Sequence, residues 1–291
     1  MKARNAGQER VADLVSVASR ACVAAGRLLP VGHDQTRSAV RDKSQFDQVT
    51  DHDLQVEDFL TTTLRAEVPG SAVIGEERVA VPGELVSWYV DPIDGTNNFV
   101  RGLPLACVSV GVCVRGELVG GCVYDPYRRE CFTGGTGLEL RINDRVVPRL
   151  RQAAWFPLVL TDLPRPGGLD PDFKQQLAFS EDLLVRSDVR RIGASALALA
   201  WVAAGRADVA CNLRIKPWDV AAGAALVRAA GGRFVPVGPR QGGYDTQSLA
   251  HDGFVGFLNP APITDWIESR LTEVGFAAGR TEDGRPPRVD R

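Results

Sequence analysis

The stretch that decides the fold is "SWYVDPIDGTNNFVRG", residues 87–102. It starts as an apolar run that is typical of a buried strand, and it breaks at Pro92 between Asp91 and Asp94. A Gly-Thr pair follows the second acid. No basic residue stands between residues 87 and 100. The stretch therefore raises the question of what compensates for two carboxylates at the end of an apolar strand.

Other acidic residues also stand where an apolar segment meets a turn. They are Asp53 in "VTDHD", Glu76 and Glu77 in "IGEE", and Asp219 in "PWDVAAG". Carboxylates at strand ends can converge in an α/β sheet, and crowded carboxylates repel one another unless a cation lies between them. Mg²⁺ prefers such oxygen ligands, and paired ions can assist phosphoryl transfer. Acids at turns also cap helices, so from the residues alone both interpretations stay open.

The composition limits the classes of function and location. The chain has 291 residues, 44% of them hydrophobic, and a net charge of −2. This charge gives no reason to expect a nucleic-acid or acidic-membrane partner. The six cysteines form no CxxC pair, which indicates reduced thiols in a cytoplasmic protein. Since no signal peptide and no run of about 18 apolar residues is recognised, no membrane span is predicted.

The order of predicted elements indicates an α+β half followed by an α/β half. Apolar spacing predicts helices at 9–29 and 51–67, and alternation at 105–133 predicts an antiparallel meander. Helices and strands then alternate from about 171 to 237, before a last helix at 262–275. We therefore predict the following division of the chain: a disordered N-terminus at 1–8, halves at 9–160 and 161–276, and a disordered tail at 277–291.

Four segments together resemble one known family. "WYVDPIDGTNNFVRGLP" at 88–104 resembles the first signature of the inositol monophosphatase family, and "PWDVAAGAALVRAAGG" at 217–232 resembles its second. The upstream segments "KSQFDQVTDHDLQVE" at 43–57 and "IGEE" at 74–77 stand in the family's order. The resemblance covers about residues 9–275. It implies a homodimer with the five-layer αβαβα sugar-phosphatase fold that fructose-1,6-bisphosphatase also has.

The resemblance also implies Mg²⁺-dependent hydrolysis of a phosphate monoester by metal-activated water, with two or three ions and inhibition by Li⁺. It implies that a first ion binds Glu76, Asp91, Asp94 and the carbonyl of Ile93, a second Asp91, Asp94 and Asp219, and a third Glu76 and Asp53. The implied catalytic residues are Glu76, Thr96 and Asp53. Thr96, assisted by Asp53, would orient the attacking water. The amides of Gly95 and Thr96 would contact phosphate, and Asp219 is implied to bind the substrate as well as a metal ion.

The residues that face the substrate are less well defined. "RRIGASALALA" at 190–200 resembles a family segment in which Gly193, Ala194 and Ser195 approach the substrate ring, although helix capping and close packing explain the same residues. Asn212 stands where members that prefer inositol phosphate have a glutamate, and Arg214 and Lys216 follow. An uncharged amide beside basic residues makes a more anionic substrate more plausible.

The leading hypothesis is a phosphatase that acts on inositol 1-phosphate or a similar polyol or sugar phosphate. The alternatives within the superfamily are fructose-1,6-bisphosphatase, 3′-phosphoadenosine 5′-phosphate phosphatase and histidinol-phosphate phosphatase. A different class is a regulatory or binding protein that keeps the fold, since some bacterial members of the family are implicated in transcription complexes. The complete carboxylate set favours an enzyme, because a scaffold has no need of it.

Overall fold

The architecture comes from a computed structural model of the chain, which describes residues 2–30, 40–44, 47–148, 156–165, 173–240, 249 and 251–278. None of the helices in these ranges combines the length and apolar character that crossing a membrane requires. The helices are α1 (Lys2–Gly26), α2 (Asp51–Glu67), α3 (Thr96–Val100), α4 (Phe173–Arg186), α5 (Ser195–Ala203), α6 (Pro217–Ala229) and α7 (Pro262–Ala278).

The first half of the chain builds a seven-stranded sheet behind a short hairpin. The hairpin pairs β1 (Val40–Ser44) with β2 (Asp47–Thr50) and leads into α2. The strands of the sheet stand in sequence order, with the first two parallel and the others antiparallel. They are β3 (Ala72–Gly75), β4 (Val86–Asp94), β5 (Cys107–Val114), β6 (Glu117–Asp125), β7 (Glu130–Gly135), β8 (Arg141–Ile142) and β9 (Arg145–Val146).

The second half builds a five-stranded mixed sheet in the order β11-β10-β12-β14-β13. The first three strands in that order are parallel, and the last two are antiparallel to their neighbours. The strands are β10 (Leu158–Leu160), β11 (Asp188–Arg190), β12 (Val209–Leu213), β13 (Arg233–Arg240) and β14 (His251–Phe257). β10 belongs to this sheet, so the predicted boundary at residue 160 falls at the end of its first strand.

The two sheets and the helices form five layers. α1 and α2 cover the outer face of the first sheet, α5 and α6 lie between the sheets, and α4 and α7 cover the outer face of the second. Burial of each large apolar side chain contributes about 1.5–3 kcal/mol. In α2, Val56, Leu60 and Leu64 recur every four residues and are fully buried. The predicted αβαβα sandwich is therefore confirmed.

Several local expectations can be compared with the structure. α2 spans 51–67 as predicted, and the 105–133 meander is β5, β6 and β7. α1 begins at Lys2, so residues 2–8, for which the sequence predicts disorder, belong to a helix; Lys, Ala, Arg and Gln there favour one. Most of the predicted disordered tail, from residue 279 onward, lies outside the described residues.

A pair of glycines lets α6 approach the first sheet closely. Gly111 of β5 and Gly121 of β6 are directly paired across the two strands. A Cβ at Gly111 would lie 2.3 Å from Cβ of Ala221, and one at Gly121 would lie 2.6 Å from Cα of Ala222. Any larger residue would push α6 away from the sheet. Because Asp219 is in the first turn of α6, this contact also fixes the height of that carboxylate over the sheet.

Candidate active site

The carboxyl end of β4 forms the centre of the site. Asp91 and Asp94 are both buried, with Pro92 and Ile93 between them. The Ile93 N–H donates to Oδ1 of Asp91 at 3.1 Å, which makes an Asx turn and fixes that carboxylate. Pairing with β5 changes register between the two acids. The turn that Pro92 predicts therefore holds both acids at one strand end.

Asp94 joins the two halves of the chain. Its Oδ1 accepts the Ser195 N–H at 3.0 Å, and its Oδ2 accepts the Leu197 N–H at 3.1 Å. These donors are in the first turn of α5, whose N-cap residue, Ala194, has no side-chain oxygen for this purpose. The Cys107 thiol also donates to Oδ2, at 3.4 Å. Asp94 thus caps a helix of the second half from a strand of the first.

Asp53 and Thr96 are in direct contact. Asp53 is fully buried, and its Oδ2 accepts the Thr50 N–H at 2.7 Å in a capping box that starts α2. The Thr96 hydroxyl lies 3.2 Å from Oδ1 of Asp53 and 3.0 Å from the Ile93 carbonyl. Since a hydroxyl has one proton, it donates to one of these oxygens at a time and keeps its lone pairs for another donor.

Gly95 sits between Asp94 and Thr96 in a backbone conformation that favours glycine, with φ of +92°. A Cβ there would lie 2.7 Å from the carbonyl oxygen of Leu105 and 3.2 Å from Cβ of Ala194. The segment before α5 therefore packs closely on the start of α3. This packing brings Gly193, Ala194 and Ser195 to the end of β4.

Glu76 stands in a turn that wraps around a buried carboxylate. Glu57, which is 1% exposed, accepts the Glu77 N–H at 2.7 Å and the Arg78 N–H at 3.0 Å. A Cβ at Gly75 would lie against Oε1 of Glu57, so the carboxylate rests on the backbone there. Burial raises the pKa of Glu57, and the two N–H donors partly offset that rise. Glu57 thus holds both ends of the turn that carries Glu76.

Asp219 enters from α6, where its Oδ2 accepts the Lys216 N–H at 2.7 Å. Burial, together with the charge of Glu76, raises the pKa of Asp219 to about 8. Burial likewise raises the pKa of Asp94 to about 7, and raises that of Asp91 well above its usual range. The charges that raise the pKa of Asp91 further are, in order, those of Glu76, Asp94, Asp219 and Asp53. The carboxylates of Glu76, Asp94, Asp219 and Asp53 therefore lie close enough to Asp91 for their charges to act on it.

The donor set fits a hard cation. No ion pair involves Asp91, Asp94 or Asp219 within the part of the chain that the structure describes. Carboxylate oxygens that accept an N–H keep further lone pairs, so they retain capacity for a metal ion. In the described ranges, however, no group of three or more His, Cys, Asp or Glu side chains is arranged to hold one as it stands.

Asn212 contacts Asp162, a residue that was not predicted from the sequence. The Asn212 Nδ2 donates to Oδ2 of Asp162 at 3.0 Å, and the Gly193 N–H donates to Oδ1 at 2.8 Å. Asp162 occurs in "TDLPRP", whose two prolines are typical of a linker and give no sign of a functional residue. Glu57 was missed too, although it ends the segment "KSQFDQVTDHDLQVE". The position of Glu57 within that segment could have identified it. No comparable sequence signal marks Asp162.

Comparison with known proteins places the chain in a family. The model of the inositol monophosphatase family matches residues 10–256. A protein named Nus factor SuhB from Pasteurella multocida is 36% identical over 230 residues, which cover 75% of this chain and 83% of the relative. An inositol-1-monophosphatase from Mesorhizobium japonicum is 38% identical over 227 residues, covering 75% and 84%.

A solved structure has the same fold. The extragenic suppressor protein suhB of Bartonella henselae superimposes with a TM-score of 0.77 at 28% identity, covering 89% of this chain and 98% of that one. The signatures, the layers and the convergent carboxylates agree with this likeness. The chain therefore belongs to the inositol monophosphatase family, a family of phosphatases.

Proposed function

We propose that the protein is a Mg²⁺-dependent phosphomonoesterase that hydrolyses inositol 1-phosphate or a similar polyol phosphate. One observation carries this proposal. Asp91 is buried at the end of β4, and the charges of Glu76, Asp94, Asp219 and Asp53 all act on its carboxylate. Such a concentration of like charge in a buried place is costly for folding unless cations or protons compensate for it. Membership of the family supports phosphate ester hydrolysis as the purpose.

The metal ligands in this proposal are Glu76, Asp91, Asp94, Asp219, Asp53 and the carbonyl oxygen of Ile93. When bound, two or three Mg²⁺ ions supply charge neutralisation and activation of water. The carboxylate groups of these residues are the hard oxygen ligands that Mg²⁺ prefers. The raised pKa values of Asp94 and Asp219 are what such ligands show without a cation.

Other residues of the site position the reactants. The Thr96 hydroxyl, within hydrogen-bond distance of Asp53 and the Ile93 carbonyl, orients the attacking water. The N–H groups of Gly95 and Thr96 at the start of α3 contact the phosphate oxygens. The segment Gly193 to Ser195 and Asn212 face the alcohol part of the substrate. Catalysis by this set consists mainly of positioning and electrostatic stabilisation.

Metal removal tests the activity. We expect EDTA to abolish phosphate release from inositol 1-phosphate and added Mg²⁺ to restore it, because the carboxylates alone cannot stabilise a phosphate dianion. Li⁺ is expected to inhibit the restored activity. The measurement is kcat/KM over a panel of inositol, sugar, nucleotide and histidinol phosphates. Phosphate release that resists the chelator would contradict the proposed chemistry, and a nucleotide or bisphosphate preference would replace the proposed substrate.

Glu57→Gln is expected to weaken metal binding with little change in the rate at saturating Mg²⁺. Glutamine keeps one acceptor oxygen but turns an NH₂ group towards one of the two N–H donors, so the turn that carries Glu76 loosens. Residues that orient metal ligands typically contribute about 10- to 100-fold in affinity. We therefore expect the Mg²⁺ concentration for half-maximal activity to rise about 10-fold or more.

Asp58→Asn is the matched control for this variant. Asp58 pairs with Arg78 of the same turn, at 2.6 Å, but both side chains are about half exposed. Exposed ion pairs contribute about 0–1 kcal/mol, so Mg²⁺ dependence is expected to stay within about twofold. A Glu57→Gln protein with the wild-type Mg²⁺ dependence would show that Glu57 does not position Glu76.

A second candidate is a binding role, which the name Nus factor SuhB among the relatives favours. A protein with only a binding role would release no phosphate in the panel assay. In either role we propose a homodimer, as the family resemblance implies. We also propose a cytoplasmic location, from the cysteine pattern, and no nucleic-acid or membrane partner, from the net charge of −2. Sedimentation of the purified chain measures the oligomeric state.

A further inference from the structure

Asp162 supplies a carboxylate where Asn212 lacks one. Asn212 lies on β12, and Asp162 follows the neighbouring parallel strand, β10. The Asn212 Nδ2 donates to Oδ2 of Asp162 at 3.0 Å. The negative charge that a glutamate at position 212 would provide is therefore present, but it comes from another strand.

The orientation of the Asn212 amide follows from its two partners. Its Oδ1 accepts the Leu213 N–H at 3.1 Å, while its NH₂ group points to Asp162. Since the amide oxygen is already engaged with the backbone, Asn212 offers mainly an N–H to a substrate. The charged acceptor at this position is Asp162.

Asp162 is also fixed to the segment that packs on the catalytic turn. The Gly193 N–H donates to its Oδ1 at 2.8 Å, and Arg191 Nη2 donates to its backbone carbonyl at 3.0 Å. The next residue, Ala194, packs against Gly95. Asp162 is near enough to Asp94 for its charge to act on that group. It thus stands between the proposed metal ligands and Asn212.

The basic side chains near Asp162 differ in their contacts and exposure. The Arg165 guanidinium donates from Nη1 to the carbonyls of Leu213 and Arg214, at 3.2 and 3.0 Å, and its charge also acts on Asp219, whose pKa it lowers. Lys216 is exposed at the start of α6. Asp162, by contrast, is partly buried and has used two of about four acceptor positions on its carboxylate. It keeps capacity for donors from a ligand.

We propose that Asp162 is the specificity-determining residue of this site, and that its carboxylate accepts hydrogen bonds from hydroxyl groups on the alcohol part of the substrate. The inference rests on the proposed phosphatase function and names its substrate class: uncharged polyols esterified with one phosphate. A second phosphate near Asp162 is repelled. This reverses the expectation from Asn212 alone, which favoured a more anionic substrate.

The test compares Asp162→Asn with wild type on two substrates, inositol 1-phosphate and 4-nitrophenyl phosphate, whose alcohol part has no hydroxyl group to donate. A hydrogen bond to a charged group contributes about 1.5–3 kcal/mol, so kcat/KM for inositol 1-phosphate is expected to fall about 10- to 100-fold. For 4-nitrophenyl phosphate it is expected to fall much less, because that substrate has no hydroxyl group to donate to Asp162 and only the effect of the Asp162 charge on Asp94 is lost. The preference for inositol 1-phosphate over fructose 1,6-bisphosphate is expected to decrease.

The double variant Asp162→Asn with Asn212→Asp exchanges the two side chains and serves as the matched control. In it, the amide oxygen now at position 162 would accept the Gly193 N–H, and the NH₂ group of that amide would donate to the carboxylate now at position 212. The same carboxylate would accept the Leu213 N–H. All three hydrogen bonds and the negative charge are kept, with the charge moved by one side chain. We expect the exchange to recover most of the lost kcat/KM on inositol 1-phosphate.

The outcomes separate this inference from the proposed function. Wild-type protein that releases phosphate from neither substrate overturns the proposed function. If the wild-type protein is active on both substrates, two results for Asp162→Asn overturn only the role of Asp162. One is an equal loss of kcat/KM on both substrates, and the other is no loss on either. An exchange that folds but restores nothing overturns it too.

Discussion

Asp94→Asn is expected to lower kcat for phosphate release by about 10³-fold or more, because a ligand to the metal ions contributes several kcal/mol to transition-state stabilisation. The same change removes a buried negative charge, so we expect the fold to survive. An amide has one oxygen, whereas the carboxylate accepts N–H groups from both Ser195 and Leu197. The loss of one helix cap is expected to cost about 1 kcal/mol of unfolding free energy. Steady-state kinetics and urea unfolding measure the two quantities.

Asp125→Asn is the matched control, since Asp125 is another fully buried aspartate at a strand end. Its Oδ1 accepts the N–H groups of Tyr127 and Arg128, both at 3.0 Å, and its Oδ2 pairs with Arg128. We expect it to lose stability of about 1–3 kcal/mol and to keep activity within about threefold. Unchanged turnover in Asp94→Asn would remove Asp94 from the proposed mechanism.

The second large effect is expected from Gly121→Ala. Its methyl group would lie 2.6 Å from Cα of Ala222, and a helix backbone cannot move aside as a flexible side chain can. Overpacking of this kind costs about 1–3 kcal/mol, and we expect a value near the upper end because α6 is also packed on α5. Since α6 carries Asp219, Mg²⁺ affinity is expected to fall together with stability.

Gly7→Ala controls for the general effect of replacing glycine. Nothing lies within 4 Å of a Cβ at this helical position, so we expect no loss, and a gain of about 0.5–1 kcal/mol. Urea denaturation gives both differences, and an unchanged slope shows that only stability has altered. A Gly121→Ala protein as stable as wild type would mean that α6 does not depend on the glycine pair.

Where local sequence signals are strong, the sequence predicted the elements well. α2 was placed correctly because Thr50 and Asp53 form a capping box in front of apolar residues at helical spacing. The Asn-Asp pair in "RINDRVV" likewise favours a turn, and Asn143 and Asp144 adopt positive φ there, which these residues tolerate. β14 was not predicted, because Gly253 and Gly256 interrupt its apolar run and its other partner, β12, lies about 40 residues earlier in the chain.

The residues of the candidate site also differ in how strongly the local sequence marks them. Signature residues such as Asp91 and Asp219 were predicted because the spacing within each motif is fixed. Asp162 was not, because only folding places it beside Asn212, 50 residues later. The substrate side of the site is built from such distant pairs, and no pattern along the chain reports them. The sequence therefore predicts the strand-end carboxylates, whereas the contact between Asp162 and Asn212 is visible only in the fold.

The contact of Asp94 with α5 has a thermodynamic consequence. A carboxylate from the first sheet completes a helix of the second half, so anything that binds at Asp94 acts at the junction of the two halves. A ligand that prefers the native state adds stability according to its concentration and affinity. Occupancy of this site therefore strengthens the cohesion between the sheets, and separating the halves would release the ligand. Binding of a ligand at Asp94 and association of the two halves are therefore thermodynamically coupled.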